Sequence, residues 1–132
     1  MNTRQKGNRT FNKARRYALS YPGTTFLAWY QPPWYAAPQP FDAMLFLAPF
    51  YPRLIEVRTN QWGISKPSTR QLAALPPDGI VKQIWRFKDR YLSPDIREWS
   101  GTAWVHKDYP WDGCEPSPSI VQAHNASHPA HK

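Results

Sequence analysis

Fifteen prolines in 132 residues, with adjacent pairs at Pro32-Pro33 and Pro76-Pro77, restrict this chain to short regular elements. Proline fixes φ and lacks an N–H, so it ends helices and stays out of central strands. The elements must therefore fit between the prolines. Gln5 to Tyr21 is predicted helical, with Phe11, Ala14, Tyr17 and Ala18 on one stripe and Arg9, Lys13 and Arg16 off it. Pro22-Gly23 ends this helix, and Thr24 to Tyr30 is rich in β-branched and aromatic residues, as a strand requires. Gln31 to Pro40 holds prolines 32, 33, 38 and 40 and must be a loop. Phe41 to Ala48 is a second strand, apolar enough to be expected buried on both faces. A turn at Pro49 to Pro52 leads to a third strand, Arg53 to Thr59. Ser68 to Leu75 is a short helix stopped by Pro76-Pro77, and Ile80 to Phe87 alternates as a fourth strand. A last strand or strand pair runs through Ile96 to Val105, bent at Gly101.

The order α-β-β-β-α-β-β implies an α/β fold, a mixed central β-sheet flanked by helices. The length suits one core. Residues 1–4 are expected to be a flexible N-terminus, 5–107 the domain, and 108–132 a Pro/Ser/His-rich disordered tail.

Lys and Arg number 17 against nine Asp and Glu, and every acidic residue lies at Asp42 or later. Arg4, Lys6, Arg9, Lys13, Arg15 and Arg16 instead crowd the opening segment. Positive charge concentrated on one element suits a polyanion, and nucleic acid is the expected partner. Arg70 and Arg86 would extend that surface. A single cysteine, Cys114, excludes an intramolecular disulfide and a Cys-rich zinc site. No run nears the roughly 18 apolar residues of a membrane span, so no membrane partner and a reducing, cytoplasmic setting are expected. Trp62, Trp85, Trp99 and Trp104 read as core or dimer contacts. Trp29, Tyr30, Trp34 and Tyr35 do so too, with base stacking as the alternative.

Two carboxylates stand out. Asp42 opens the second strand, and Glu56 lies inside Leu54-Ile55-Glu56-Val57-Arg58 in the third. Carboxylates within apolar strands are costly unless paired or bound to metal. A tight turn between the strands can bring both to one face, where Mg²⁺ would relieve their repulsion. Arg58, two residues beyond Glu56, projects from the same face. A buried ion-pair network of the three residues satisfies the same pattern.

Pro40-x-Asp42 followed by Glu56-x-Arg58 resembles the PD-(D/E)XK nuclease superfamily. Within it, the chain is most similar to the archaeal-type and phage Holliday junction resolvases. Gly7-Asn8-Arg9-Thr10-Phe11-Asn12-Lys13 sits where those proteins carry a basic first-helix motif, and Ser68-Thr69-Arg70-Gln71-Leu72 resembles their continuation. The resemblance implies a restriction-endonuclease-like core and a Mg²⁺- or Mn²⁺-dependent endonuclease that cuts DNA, branched DNA included, as a homodimer. It places the metal on Asp42, Glu56 and the Val57 carbonyl, and catalysis on Asp42, Glu56, Arg58 and Lys66. Arg9, Asn12, Lys13, Arg16, Arg70 and Arg86 would hold the nucleic acid. Two positions depart from the family: its motif lysine is Arg58 here, and its first-helix glutamate is Asn12. Arginine cannot shed a proton, so Arg58 can serve only electrostatically, and Lys66 is the nearest substitute lysine by sequence. The resemblance also allows a nucleic-acid-binding module with weakened chemistry, or an RNA-directed or structural member of the fold.

Overall fold

The computed structural model describes residues 3–28, 41–75 and 80–112. In chain order the elements are α1 (Thr3–Leu19), β1 (Thr25–Ala28), β2 (Ala43–Phe46), β3 (Arg53–Thr59), α2 (Pro67–Ala74), β4 (Val81–Phe87), β5 (Asp95–Trp99) and β6 (Trp104–Lys107). The six strands form one sheet in sequence order. β3 and β4 are parallel and joined through α2, whereas every other neighbouring pair is antiparallel. The fold is thus α/β, with a mixed sheet and two helices. The expected final strand or strand pair is a hairpin, β5–β6, turning at Gly101 with φ 105°.

Strand periodicity assigns the two faces. Ala43, Leu45, Ile55, Trp85, Phe87 and Ile96 pack with Ala14, Tyr17, Ala18 and Tyr21 of α1 in one core. Tyr17 is central there, edge-on to Trp85 at 5.4 Å and to Tyr21 at 5.8 Å. The predicted stripe of α1 is therefore its buried face. The intervening strand residues Leu54, Glu56, Lys82 and Ile84 point the other way, towards α2. Lys82, 3 % exposed, donates from Nζ to the carbonyls of Ala73 and Leu75 at the end of α2. Burial lowers its pKa.

Two expectations need correction. The second strand is shorter than Phe41 to Ala48 and is not buried on both faces, because Ala43 and Leu45 are buried while Met44 and Phe46 are partly exposed. The domain also does not stop at 107. Pro110 and Trp111 are buried, Trp111 completely. Arg53, 2 % exposed, anchors this segment: its Nε donates to the Pro110 carbonyl at 3.0 Å and its guanidinium lies 4.7 Å from the Trp111 ring. Gln83 Nε2 donates to the same carbonyl at 3.0 Å and to Glu98 Oε1 at 2.9 Å, while Trp85 Nε1 donates to Gln83 Oε1. The composition of the tail concealed one aromatic with a prepared socket. Residues 113–132 lie outside the described residues, as do Trp29, Tyr30, Trp34 and Tyr35.

Trp111→Ala should destabilise the protein by about 3–5 kcal/mol in urea unfolding, the usual range for emptying a fully buried aromatic site. A loss below about 1 kcal/mol would show that the segment is not part of the core.

Candidate functional site

β2 and β3 position the two carboxylates. Asp42 immediately precedes β2, and its N–H donates to the Ile55 carbonyl at 2.7 Å. Its Oδ2 accepts the Val57 N–H, also at 2.7 Å. The side chain thereby satisfies a backbone donor where strand pairing with β2 runs out. Burial pushes the Asp42 carboxyl above the ordinary carboxylate range, while the Val57 N–H and the Arg58 charge pull it back down.

Glu56 lies deeper, 2 % exposed, beneath the first turn of α2. Its Oε1 accepts from Ser68 Oγ at 2.9 Å and pairs with Arg58 Nη2, and its Oε2 accepts from Thr69 Oγ1 at 3.4 Å. Arg58 Nη2 also donates to Ser68 Oγ and Thr69 Oγ1, at 2.9 and 3.1 Å. Glu56 is thus a buried carboxylate neutralised by a guanidinium from its own strand, at the positive end of a helix. Burial lowers the Arg58 pKa and the nearby Asp42 charge raises it, without threatening its protonation. The Nε of Arg58 is buried without a hydrogen-bond partner.

The loop before α2 completes the site. Gly63 has φ +62°, and a Cβ there would lie 3.1 Å from both Arg58 Nε and Lys66 Cδ. The Gly63 carbonyl accepts from Thr69 Oγ1 at 2.8 Å. Glycine is needed here for backbone and space alike. Lys66 occupies the N-cap of α2, followed by Pro67, and is exposed.

Asp42, Glu56, Val57 and Arg58 are therefore brought together, with Lys66 at the margin. The first-helix residues are not in this layer. α1 packs on the opposite face, where Arg9, Asn12 and Arg16 are exposed and Lys13 is half-buried. Asn12 is thus no ligand of the Glu56–Arg58 pair. Arg70 is exposed on α2, while Arg86 is committed to Asp95 Oδ2 at 2.6 Å. Glu98, on the neighbouring strand, meets Gln83 and, at 3.9 Å, Lys107. Sequence reasoning missed Ser68, Thr69 and Gly63 as site residues. A proline at the first position of a helix puts the next hydroxyls in its first turn, which was the available signal.

The donors that the sequence led us to expect are two carboxylates and one carbonyl. These hard oxygens suit Mg²⁺ or Mn²⁺, provided that Glu56 exchanges its guanidinium partner. Among the described residues, no three His, Cys, Asp or Glu side chains converge as a ready-made metal cage. No described helix is long and apolar enough to cross a membrane. Fold and site define an α/β protein with a mixed six-stranded sheet and a carboxylate–guanidinium centre under its second helix. No protein-family model, curated protein or solved structure matches the chain.

The raised Asp42 pKa carries a definite sign. A carboxyl whose folded pKa exceeds its unfolded value favours folding while protonated, and that contribution is lost as pH rises through the folded pKa. Asp42→Asn keeps an acceptor for the Val57 N–H and removes the buried charge. It should therefore be more stable than the native protein at pH 7 and about equal to it at pH 3, by urea unfolding at both. Lower stability at pH 7 would mean that the carboxylate stabilises the fold.

Proposed function

We propose that this protein is a metal-dependent endonuclease of the PD-(D/E)XK plan, acting on DNA and, by its resemblance to resolvases, on branched DNA. The observation that carries this reading is the meeting of Asp42 with the Glu56-Val57-Arg58 tripeptide, with Oδ2 on the Val57 N–H at 2.7 Å. The order α-β-β-β-α-β, with one helix on each side of a mixed sheet, supports it as the architecture of a restriction-endonuclease-like core. Asp42, Glu56 and the Val57 carbonyl would hold Mg²⁺ or Mn²⁺. Such an ion supplies a bound water of lowered pKa and polarises a phosphoryl oxygen.

The protein's own residues set how that site is made ready. Asp42 is held by backbone and needs little rearrangement. Glu56 must release Arg58, and the freed guanidinium then stands beside the carboxylates, able to stabilise charge on an anionic phosphate. Lys66, exposed at the start of α2, is the nearby lysine that would take the place of the motif lysine. The enzyme would work in the cytoplasm, as a two-fold dimer that cuts two strands symmetrically.

A second reading has its own support. Glu56 is 2 % exposed and already neutralised by Arg58. A fixed guanidinium in the place of a metal ion describes a nucleic-acid-binding module that kept the fold and lost the chemistry.

Incubation with a four-way junction, linear duplex DNA and single-stranded RNA, in Mg²⁺ or EDTA, separates the two. The nuclease reading expects metal-dependent DNA cleavage that falls about 100-fold or more in Asp42→Ala, as several kcal/mol of metal stabilisation is lost. Arg58→Lys, which restores the family lysine, should raise cleavage at limiting metal. Salt-sensitive binding with no cleavage by either the native protein or Arg58→Lys would leave only the binding module.

A further inference from the structure

The loop between β3 and α2 does more than admit Gly63. Asn60 adopts φ 63°, and its N–H donates to the Phe87 carbonyl at 2.9 Å. Its side chain accepts the Asp89 N–H at 3.0 Å and donates to Asp89 Oδ2 at 3.2 Å. These bonds tie the loop to the β4–β5 turn and hold Trp62 over the neighbouring strands. The indole has two guanidinium neighbours, with Arg86 Cζ 4.6 Å from the ring centroid and Arg97 Cζ at 4.3 Å.

The sheet register puts these cations on three neighbouring strands, with Arg97 diagonal to Arg86. Arg58 pairs with Arg86 across β3–β4, and Arg86 with Asp95 and Ile84 with Arg97 across β4–β5. Alternation then places Arg58, Arg86 and Arg97 on one face, the face of α2. Arg58 is neutralised by Glu56 and Arg86 by Asp95. Arg97 makes no ion pair among the described residues. Its cross-strand neighbour His106 is instead engaged with Asp108 at 3.0 Å. A half-buried guanidinium beside a second one, with no acid of its own, leaves net positive charge. An indole under a guanidinium also fixes its plane and leaves its N–H edges free for the paired oxygens of a phosphate.

We propose that Arg97, held on Trp62 beside Arg86, is a phosphate-contact site for a nucleic-acid backbone. The bound strand then crosses β4 and β5 on the face that carries Asp42 and Glu56, rather than following the basic helix α1. This rests on the nucleic-acid reading given above, and not on catalysis.

The test is anisotropy of fluorescein-labelled single-stranded and duplex DNA, titrated with the full chain over a series of salt concentrations. Arg97→Gln keeps much of the packed stem and removes the charge. It should weaken binding about 5–10-fold at moderate salt and lower the slope of log affinity against log salt by about one. Trp62→Ala should lose a similar amount and Trp62→Phe recover most of it, which a purely electrostatic role would not predict. Arg15 is the matched control: an exposed guanidinium 5.6 Å from the Phe26 ring on the α1 side, whose change to Gln should alter affinity less than twofold.

Wild-type affinity and slope in Arg97→Gln, or an equal loss in Arg15→Gln, would overturn the site and leave nucleic-acid binding intact. Displacement of DNA by inorganic phosphate at matched ionic strength would assign Arg97 to free phosphate and overturn the backbone proposal. Failure of the native chain to bind any of the DNAs would remove the proposal together with the reading it rests on.

Discussion

A buried carboxylate in the central strand governs this structure. Glu56 has almost no contact with solvent, so its charge must be met from within. Arg58, two residues along the same strand, supplies the counter-charge, and the Ser68 hydroxyl donates to Oε1 while Thr69 Oγ1 lies 3.4 Å from Oε2. Those hydroxyls are available because Pro67 starts α2 where it does. The tight loop at Gly63 exists to bring the helix start down onto the pair. Loop, helix start and ion pair thus form one unit, in which losing one member leaves another charge or polar group buried without a partner.

The other face of β3 solves a related problem by different means. Arg53 is almost fully buried among aromatic rings, and it is met mainly by carbonyls, those of Pro110 and Tyr51, with Asp112 only at 4.0 Å. Burial lowers its pKa, and the charges of Glu98 and Asp112 raise it again. One strand therefore carries a buried arginine and a half-buried one with opposite employment. One anchors a backbone segment, and the other occupies a carboxylate that a nuclease would give to metal.

Much of the architecture was legible in the sequence. The bounds of β3 agree with the expected Arg53 to Thr59, and the helices lie within two residues of their predicted ends, because proline and glycine punctuate both. The grouping of Asp42, Glu56 and Arg58 followed from strand alternation and a short hairpin. The layer occupied by α1 did not, since helical periodicity shows which side of a helix is buried but not which face of the sheet covers it. Trp111 was hidden by its setting among polar and proline residues, and its socket, built from Arg53 and Gln83, exists only once distant strands are adjacent.

The two ends of α2 rest on opposite charges from parallel neighbouring strands. The start of the helix meets the Glu56 carboxylate, and its last carbonyls meet the Lys82 ammonium. A helix is a dipole, so this socket accepts it in one direction only. Turned end for end, the same eight residues would set partial charges of like sign against both contacts. The sheet thereby dictates the polarity of the crossover electrostatically, and a slip of one residue in either strand would carry its keying charge to the wrong face.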